Sequence, residues 1–294
     1  MKFTLYDNLQ TFYSDVYEIL MADEAQNMLI LGNLIIGYEG ADALGWRDSA
    51  NWIMATVAEN NDIRLVALMT PPFGLTMYAT GGTVDLAAAK CLADGLVDAG
   101  ISVPGVVTEK SSAEVFAEAY CGASKMTHSI TFSQRIYELQ AVSPEVPKIG
   151  HFRAAHENDL SFFPYWSMDF AAAAGIASPE NAISSDIEQY RYHITSGKLY
   201  ILEDSGLAVS MSKIARQSEN VAGIGYVYTP PYLRGKGYAS SITAQISQFC
   251  LDNGSKSCVL YTDLANPTSN SIYQKIGYVP ICDSLEIKFG SGQK

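Results

Sequence analysis

The chain of 294 residues is 48% hydrophobic and 17% charged, a composition typical of ordered globular proteins long enough for two domains. The formal net charge is −12 and is uneven: residues 1–147 contain 7 Lys and Arg against 18 Asp and Glu, and residues 148–294 contain 12 against 13. A nucleic-acid-binding protein needs a basic face, so this balance argues against nucleic acid as a partner.

The cysteines and histidines argue against disulfides and metals. The five cysteines are odd in number and widely spaced without a Cys-x-x-Cys pair, and the four histidines form no His-Glu-x-x-His motif. We therefore predict no metal site and a reducing compartment. The start of the chain does not resemble a signal peptide, and no apolar run approaches the length of a membrane span. These features predict a cytoplasmic protein with no membrane partner.

The first half of the chain is predicted to run helix, several strands, helix, strand, helix, strand. The periodicity of apolar residues predicts a helix at 7–21. The apolar run at 28–36 is interrupted by Gly32 and Asn33, and we assign it as a strand. Further helices are predicted at 84–97 and 111–121, and further strands at 51–57, 63–69, 73–79, 101–107 and 130–142.

The segment 143–147, Ser-Pro-Glu-Val-Pro, interrupts this pattern, so we place a domain boundary there and predict domains at 1–145 and 146–294. The same order of elements then recurs. Ser178-Pro179-Glu180 has a capping residue, a proline and an acid in the order typical of a helix start. Helices are predicted at 159–174, 178–195, 238–251 and 268–276, and strands at 151–155, 199–202, 207–215, 221–228, 258–262 and 278–289.

The stretch between the strand at 221–228 and the following helix has the features of an anion site. Its sequence Arg234-Gly235-Lys236-Gly237-Tyr238-Ala239 follows two prolines and opens a helix. The first N–H groups of a helix have no partner within it and lie at the positive end of its dipole. Gly235 and Gly237 let the main chain approach a ligand, and Arg234 and Lys236 add positive charge. The ligand predicted is a phosphate, most economically a diphosphate.

The repeated order of elements indicates a duplication of an α/β (α+β) unit. In each half three strands, a helix, a strand, a helix and a final strand follow one another. We place Thr70-Pro71-Pro72-Phe73-Gly74-Leu75 at the position of the glycine loop in the first half. That segment lacks the Arg-Gly-x-Gly-x-Ala run, so we predict that only the second half keeps a phosphate loop.

Two motifs resemble the GNAT (GCN5-related N-acetyltransferase) superfamily, in particular its glycine N-acyltransferase-like (FR47-like) branch. The loop 234–239 is similar to the family's [Arg/Gln]-x-x-Gly-x-[Gly/Ala] loop, and 266–278 is similar to its Asn-x-x-(Ser)-x-x-x-Tyr-x-[Lys]-x-Gly-[Phe/Tyr] helix. The resemblance is close over 221–282. It implies two tandem GNAT-like domains, each a mixed, mostly antiparallel twisted sheet flanked by helices, of which the N-terminal one is degenerate.

The resemblance also implies site residues. The N–H groups from Gly235 to Ser240 would bind the diphosphate of acetyl-CoA, and the strand 226–229 would pair with the pantetheine arm and offer an N–H to the thioester oxygen. Tyr273 would protonate the leaving thiolate. The implied cofactor contacts are Tyr226, Val227, Tyr228, Thr229, Arg234, Gly235, Lys236, Gly237, Tyr238, Ala239, Ser240, Asn266, Asn270 and Tyr273.

Simpler roles stay open for several of these residues. The two glycines could make only a tight turn, Tyr273 could be a core residue, and Asn266 and Asn270 could be a helix cap and a surface polar residue. No general base is assigned, because none of the available groups is distinguished by its spacing. These groups are Glu203, Asp204, Glu219, His193, Asp263 and Glu286.

Together these features predict an acyl-CoA-dependent N-acyltransferase, an enzyme that transfers acetyl from acetyl-CoA to a primary amine of a small molecule or peptide. The alternative is an acetyl-CoA-binding sensor or regulatory module without catalysis. A nucleotide-binding protein is disfavoured because the P-loop and the Rossmann glycine motif are both absent. The aromatic residues of the helix at 159–174 weakly suggest an apolar or aromatic part in the acceptor.

Overall fold

The computed structural model describes residues 1–40, 49–173 and 187–291. The chain divides into two compact units. Unit 1 comprises Met1–Ile136, Thr262–Asn266 and the residues from Ile281 onwards; unit 2 comprises Tyr137–Tyr261 and Pro267–Pro280. These are units of packing, and the division into domains at 1–145 and 146–294 stays a proposal from the sequence.

Unit 1 contains a sheet with helices packed against it. Within this unit the strand order is β1-β2-β3-β4-β5-β12-β6, and the neighbours from β1 to β12 are antiparallel except β4 and β5, which are parallel. The strands are β1 (Lys2–Tyr6), β2 (Ile53–Glu59), β3 (Asp62–Met69), β4 (Leu75–Ala79), β5 (Gly105–Glu109), β6 (Thr127–Leu139) and β12 (Val279–Gly290). The helices are α1 (Leu9–Met21), α2 (Met28–Tyr38), α3 (Leu86–Asp98) and α4 (Lys110–Ser124).

Two assignments in this unit were wrong. The run predicted as a strand at 28–36 is helix α2, and strand β1 at the start of the chain was not predicted. Helix α2 is buried on most of its circumference, including at Gly32 and Asn33. It therefore has no polar face whose periodicity could distinguish it from a buried strand.

The C-terminal strand β12 completes the core of unit 1. It pairs with β5 over five residues, from Ser284 opposite Glu109 to Lys288 opposite Gly105. Its inward side chains are buried, and the ring of Phe289 lies 4.7 Å from that of Tyr120 on α4. The last strand in the sequence therefore belongs to the packing unit that contains the start of the chain.

Unit 2 has the same kind of architecture. Its strand order is β7-β8-β9-β10-β11, antiparallel except for the last pair, β10 and β11, which are parallel. The strands are β7 (His151–Ala154), β8 (Leu199–Asp204), β9 (Leu207–Gln217), β10 (Val221–Tyr228) and β11 (Ser257–Asp263). The helices are α5 (Phe163–Ala173), α6 (Ile187–Thr195), α7 (Tyr238–Asp252) and α8 (Pro267–Ile276). The predicted helix start at Ser178-Pro179-Glu180 lies outside the described residues.

Both faces of the unit 2 sheet are covered. On one face Phe163 and Trp166 of α5 pack in a cluster with Met211 and Tyr228. A second cluster joins α7 and α8 to β10 and β11 and includes Ile224, Ile246, Leu260, Tyr273 and Ile276. Strand β10 contributes Tyr226 and Tyr228 to the first cluster and Ala222, Ile224 and Val227 to the second, so it packs against both helical layers.

A buried ion-pair network joins β7 to β8 and to the turn before α5. Arg153 donates to both oxygens of Asp159, at 2.7 and 2.9 Å, and to Glu203 at 2.8 Å. Burial opposes the charge of Asp159, whose side chain is 3% exposed, but the hydrogen bonds from Arg153 and from the His156 N–H outweigh it and lower the pKa of Asp159.

We expect Asp159→Asn to destabilise the protein by roughly 3 kcal/mol, because it removes one partner of a buried ion pair. A carboxyl whose pKa is lowered by folding stabilises the protein above its unfolded-state pKa of 3.8 and loses that contribution as the pH falls through the folded value. The free energy of unfolding in urea should therefore fall less steeply below about pH 4 in the variant than in the wild type. An identical acid-side slope would contradict this assignment.

Candidate active site

The parallel strands β10 and β11 separate partway along their length. They pair at three positions: Val221 with Ser257, Ala222 with Cys258, and Gly223 with Val259. Beyond Gly223, β10 continues to Tyr228 paired with β9 alone among the described strands, while β11 continues to Asp263. The diverging strands give main-chain groups along the edge of β10 that an extended ligand can pair with.

Strand β10 is irregular where it diverges. Its register with β9 shifts between Gly223 and Ile224 and again between Gly225 and Tyr228. Tyr226, between these points, has a φ of 54°, which is a strained conformation for a bulky residue. Bulges redirect the main chain and side chains and often lie next to active sites. The ring of Tyr226 consequently stacks on Phe170 of α5 with centroids 4.8 Å apart.

The glycine loop follows β10 and a short 3₁₀ turn at Pro231–Leu233. Gly235 and Gly237 have φ values of 78° and 84°. A Cβ at Gly235 would have no atom within 4 Å, whereas a Cβ at Gly237 would lie 3.2 Å from Cδ1 of Ile149. The loop is exposed, and Gly235 faces open space that a ligand can fill.

Helix α7 begins without a side chain that caps its first N–H groups. Gly237 is its N-cap residue and has no side chain to accept a hydrogen bond, and the first helical bond runs from the Ser241 N–H to the Gly237 carbonyl at 3.0 Å. Within the described part of the chain, the N–H groups of Tyr238, Ala239 and Ser240 have no acceptor. Three N–H groups at the positive end of a helix form a site for an anion.

Hydrogen bonds hold the two ends of the loop. Arg234 Nε donates to the carbonyl of Thr229 at 3.0 Å, which folds the arginine back against the end of β10. Tyr238 OH donates to Asp204 Oδ2 at 2.5 Å and lowers the pKa of Asp204. The start of α7 is thereby fixed to the end of β8, and the loop is held in place before any ligand binds.

The comparisons with known proteins agree with this geometry. A family model described as FR47-like protein matches residues 209–285, a range that includes the diverging strands, the glycine loop and α8. Residues 209–285 are an FR47-like domain. No curated protein matches the sequence of the chain.

Several solved structures are similar over the whole chain. A GNAT-family acetyltransferase from Colwellia psychrerythraea is 14% identical, covering 99% of this chain and 100% of that one, with a TM-score of 0.56. A GCN5-related N-acetyltransferase from Sphaerobacter thermophilus is 13% identical, covering 99% and 98%, with a TM-score of 0.60. A tandem GNAT protein from the clavulanic acid biosynthesis pathway is 10% identical, covering 100% of both, with a TM-score of 0.56. The predicted tandem GNAT-like α/β fold is confirmed.

Tyr273 of the FR47-like domain lies in the core beside the diverging strands. It is 9% exposed and packs in one cluster with Ala222 and Ile224 of β10 and Leu260 of β11. Burial raises its pKa to about 12. Its hydroxyl has no hydrogen-bond partner among the described residues and is not among the fully buried polar atoms. Tyr273 is thus both a core side chain and a protonated donor whose hydroxyl is available.

The two asparagines have different surroundings. Asn270 accepts a hydrogen bond from the hydroxyl of the fully buried Tyr137 at 2.9 Å, so it has a structural partner. Asn266 is exposed before α8, and its N–H donates to the Asp263 carbonyl at 3.1 Å. Contacts of either residue with a cofactor stay predictions.

His193 is poorly suited to act as the general base. Its Nδ1 lies 2.5 Å from Nζ of Lys213, so a charged Lys213 occupies the lone pair of that nitrogen. Burial and the neighbouring Lys213 lower the pKa of His193 to about 3. The imidazole is therefore neutral, and its Nδ1 lone pair is not available to accept a proton from a substrate.

The other candidate bases are dispersed. Glu203 is paired with Arg153, and Asp204 accepts from Tyr238. Glu286 lies on β12 in unit 1, and Asp263 accepts from the N–H of Ala265. Glu219 is exposed beyond the end of β9.

The sequence analysis missed a carboxylate that contacts β10. Asp169 on α5 accepts a hydrogen bond from the hydroxyl of Tyr228 at 2.8 Å. Burial and this bond raise the pKa of Tyr228 to about 12, so the phenol stays protonated. Asp169 is the single charged residue in the aromatic and alanine-rich sequence of α5, and that isolation was the available signal.

Unit 1 fills the corresponding position with its own side chains. The parallel strands β4 and β5 also diverge, after Thr76 opposite Val107, but Thr108 Oγ1 donates to the Met77 carbonyl across the gap at 2.7 Å. The helix that follows, α3, is capped by Asp85, whose carboxylate accepts from the Ala88 N–H at 2.8 Å. A capping carboxylate occupies the site that an anion would take at an open helix start, and its charge repels the anion.

The predicted location of the missing loop was wrong. Thr70–Leu75 includes the turn between β3 and β4, whereas the segment 80–85 joins β4 to α3 and corresponds to the glycine loop. The Thr-Pro-Pro sequence resembled the Thr-Pro-Pro before the glycine loop, and this similarity in sequence misled the assignment. Unit 1 lacks the Arg-Gly-x-Gly-x-Ala sequence at either place.

Among the described helices, none combines the length and the apolar composition needed to cross a bilayer. Across residues 1–40, 49–173 and 187–291, no three His, Cys, Asp or Glu side chains are grouped so that they could hold a metal ion.

Proposed function

We propose that the protein is an acyl-CoA-dependent N-acyltransferase, and that it transfers acetyl from acetyl-CoA to a primary amine of a small molecule or peptide by direct attack in a ternary complex. The observation that carries the proposal is the diverging pair β10 and β11 leading to a glycine loop and an uncapped helix start in the FR47-like domain. Together these features fit an elongated ligand that ends in a diphosphate.

The residues of the loop fit the diphosphate. The free N–H groups of Tyr238, Ala239 and Ser240 would donate hydrogen bonds to its oxygens, and the main chain at Gly235 can approach without a Cβ in the way. Arg234 and Lys236 would add positive charge beside it. This local positive charge contrasts with the net negative charge of the chain, most of which lies in the first half.

The edge of β10 fits the rest of acyl-CoA. The main chain of Tyr226, Val227, Tyr228 and Thr229 would pair with the pantetheine arm, and an N–H at the bulge would stabilise charge on the thioester oxygen. Bound acyl-CoA would supply the activated acyl group. The protein would hold the amine against it, and this positioning would account for much of the rate.

We expect Tyr273→Phe to lower kcat by roughly 100-fold, because the variant cannot donate a proton to the leaving thiolate. The Kd of acetyl-CoA should change little, since the substitution removes only the hydroxyl. Tyr278→Phe is the matched control: this buried neighbour donates or accepts a bond with Ser247, and its loss should affect stability rather than turnover. An unchanged kcat in Tyr273→Phe would make Tyr273 a core residue alone.

Calorimetric titration with acetyl-CoA, ATP and NAD tests the proposal. We expect acetyl-CoA to bind most tightly and with one site per chain, because unit 1 closes its own counterpart with Asp85 and Thr108. Release of free CoA thiol with a panel of primary amines then tests catalysis. Tight binding without release would favour the sensor, and tighter binding of ATP would overturn the proposal.

A further inference from the structure

The two carboxylate oxygens of Asp169 have different surroundings. Its Oδ2 accepts from the hydroxyl of Tyr228 at 2.8 Å, while the described chain offers no partner for Oδ1 and the residue is exposed. Tyr228 is 4% exposed, and its ring packs against Trp166 with centroids 5.9 Å apart. A buried phenol therefore orients the carboxylate of this exposed residue, and one carboxylate oxygen has no partner among the described residues.

The surroundings of Asp169 are aromatic. The next residue on α5, Phe170, stacks on Tyr226, and Tyr226 is the bulged residue of β10. Residues 169 and 170 thus contact the two alternate side chains of β10 that face α5. A carboxylate beside stacked aromatic rings suits an ammonium attached to an apolar body.

On the side of β10 that faces α5, Tyr228 is buried while its partner Asp169 is exposed. The opposite side of the strand is covered, because Val227 packs with Tyr238 and Ile242 of α7. An amine bound at Asp169 would approach an acyl group held along β10 from the α5 side. Two opposite charges lie on this side of β10. The carboxylate of Asp169 lies at Tyr228, and the ammonium of Lys213 lies 5.5 Å from the ring centre of Tyr226.

We propose that Asp169 binds the ammonium group of the acceptor, and that the acceptor is a cationic primary amine with an apolar or aromatic body. This inference rests on the proposed function and narrows its acceptor. Asp169 would act in recognition. Tyr228 would be a positioning residue that orients the carboxylate.

Binding of phenethylamine to the protein without acetyl-CoA, measured by calorimetry, is the first test. Asp169→Asn should weaken binding roughly 10- to 100-fold, because a charge-assisted hydrogen bond is lost. Binding of 2-phenylacetohydrazide, a neutral molecule of similar shape, should be unchanged. The control Asp252→Asn changes another exposed aspartate, one that accepts from Gln248 Nε2 at 2.8 Å on the far end of α7, and should bind phenethylamine normally. Equal affinities in Asp169→Asn and wild type would overturn the inference.

Steady-state kinetics separates this inference from the proposed function. For the primary amine with the highest turnover in a panel that includes phenethylamine and phenylalanine, Asp169→Asn should raise KM roughly 10- to 100-fold, with kcat and the Kd of acetyl-CoA nearly unchanged. Tyr228→Phe should raise KM less. If amines are acetylated and KM does not change, only the role of Asp169 fails. A higher kcat/KM for phenylalanine than for phenethylamine would also contradict the role of Asp169. Binding of acetyl-CoA without turnover of any amine would overturn both.

Discussion

Gly235→Glu is expected to weaken acetyl-CoA binding by about 100-fold or more. The substitution places a carboxylate where the diphosphate should lie, and like charges about 4 Å apart near a protein surface repel by roughly 4 kcal/mol. A side chain at this position meets nothing within 4 Å, so it adds no steric conflict with the protein itself. The measurement is the Kd of acetyl-CoA by calorimetry.

A control variant has a similar conformational cost. Gly235 has a φ of 78°, which disfavours any residue with a Cβ by about 1 kcal/mol. Gly254→Glu adds the same charge at a glycine that has a φ of 103° and equally open surroundings. It follows α7, about 22 Å along the helix axis from the loop. The control should bind acetyl-CoA normally. Unchanged affinity in Gly235→Glu would remove the main support for the phosphate site.

Truncation after Pro280 is expected to unfold unit 1. The deletion removes the buried side chains of Leu285, Ile287 and Phe289 and the partner of β5. Each such loss costs about 2–5 kcal/mol, and the sum is comparable with the whole stability of a typical domain, about 5–15 kcal/mol. Amide hydrogen exchange should show loss of protection in α3, α4 and β5.

A shorter truncation provides the control for this experiment. Deleting only residues 292–294 leaves β12 intact and should preserve exchange protection and the urea midpoint. The same packing predicts that a fragment of residues 1–145 does not fold stably by itself, because it lacks β12. Persistent protection of β5 amides after the longer truncation would show that unit 1 does not need the C-terminal strand.

Sequence reasoning was most successful where a structural feature is local. Helix α7, strand β10 and the glycines of the loop follow from residue types within about twenty positions, and turn and helix-start preferences act over that range. It failed for α2, because a continuous apolar run has no periodicity that distinguishes a helix from a strand. It also misplaced the counterpart of the glycine loop, because the two Thr-Pro-Pro segments have the same sequence.

Contacts between distant residues could not be predicted in this way. Asp169 and Tyr228 are 59 residues apart, and the bond from Ser284 to Thr108 spans 176 residues. Neither pair has a pattern in sequence that distinguishes it from many others. Their proximity follows from strand order and helix packing, which depend on the whole chain.

By itself the sequence determined the α/β class, the repeated order of elements and the glycine loop with its flanking charges, because turn chemistry and hydrophobic periodicity are written in neighbouring residues. Only the tertiary structure decided that β10 and β11 part after Gly223, that Asp85 and Thr108 close the counterpart in unit 1, and that Asp169 reaches Tyr228. Those facts depend on register and on packing between elements far apart in the chain, for which no local preference exists.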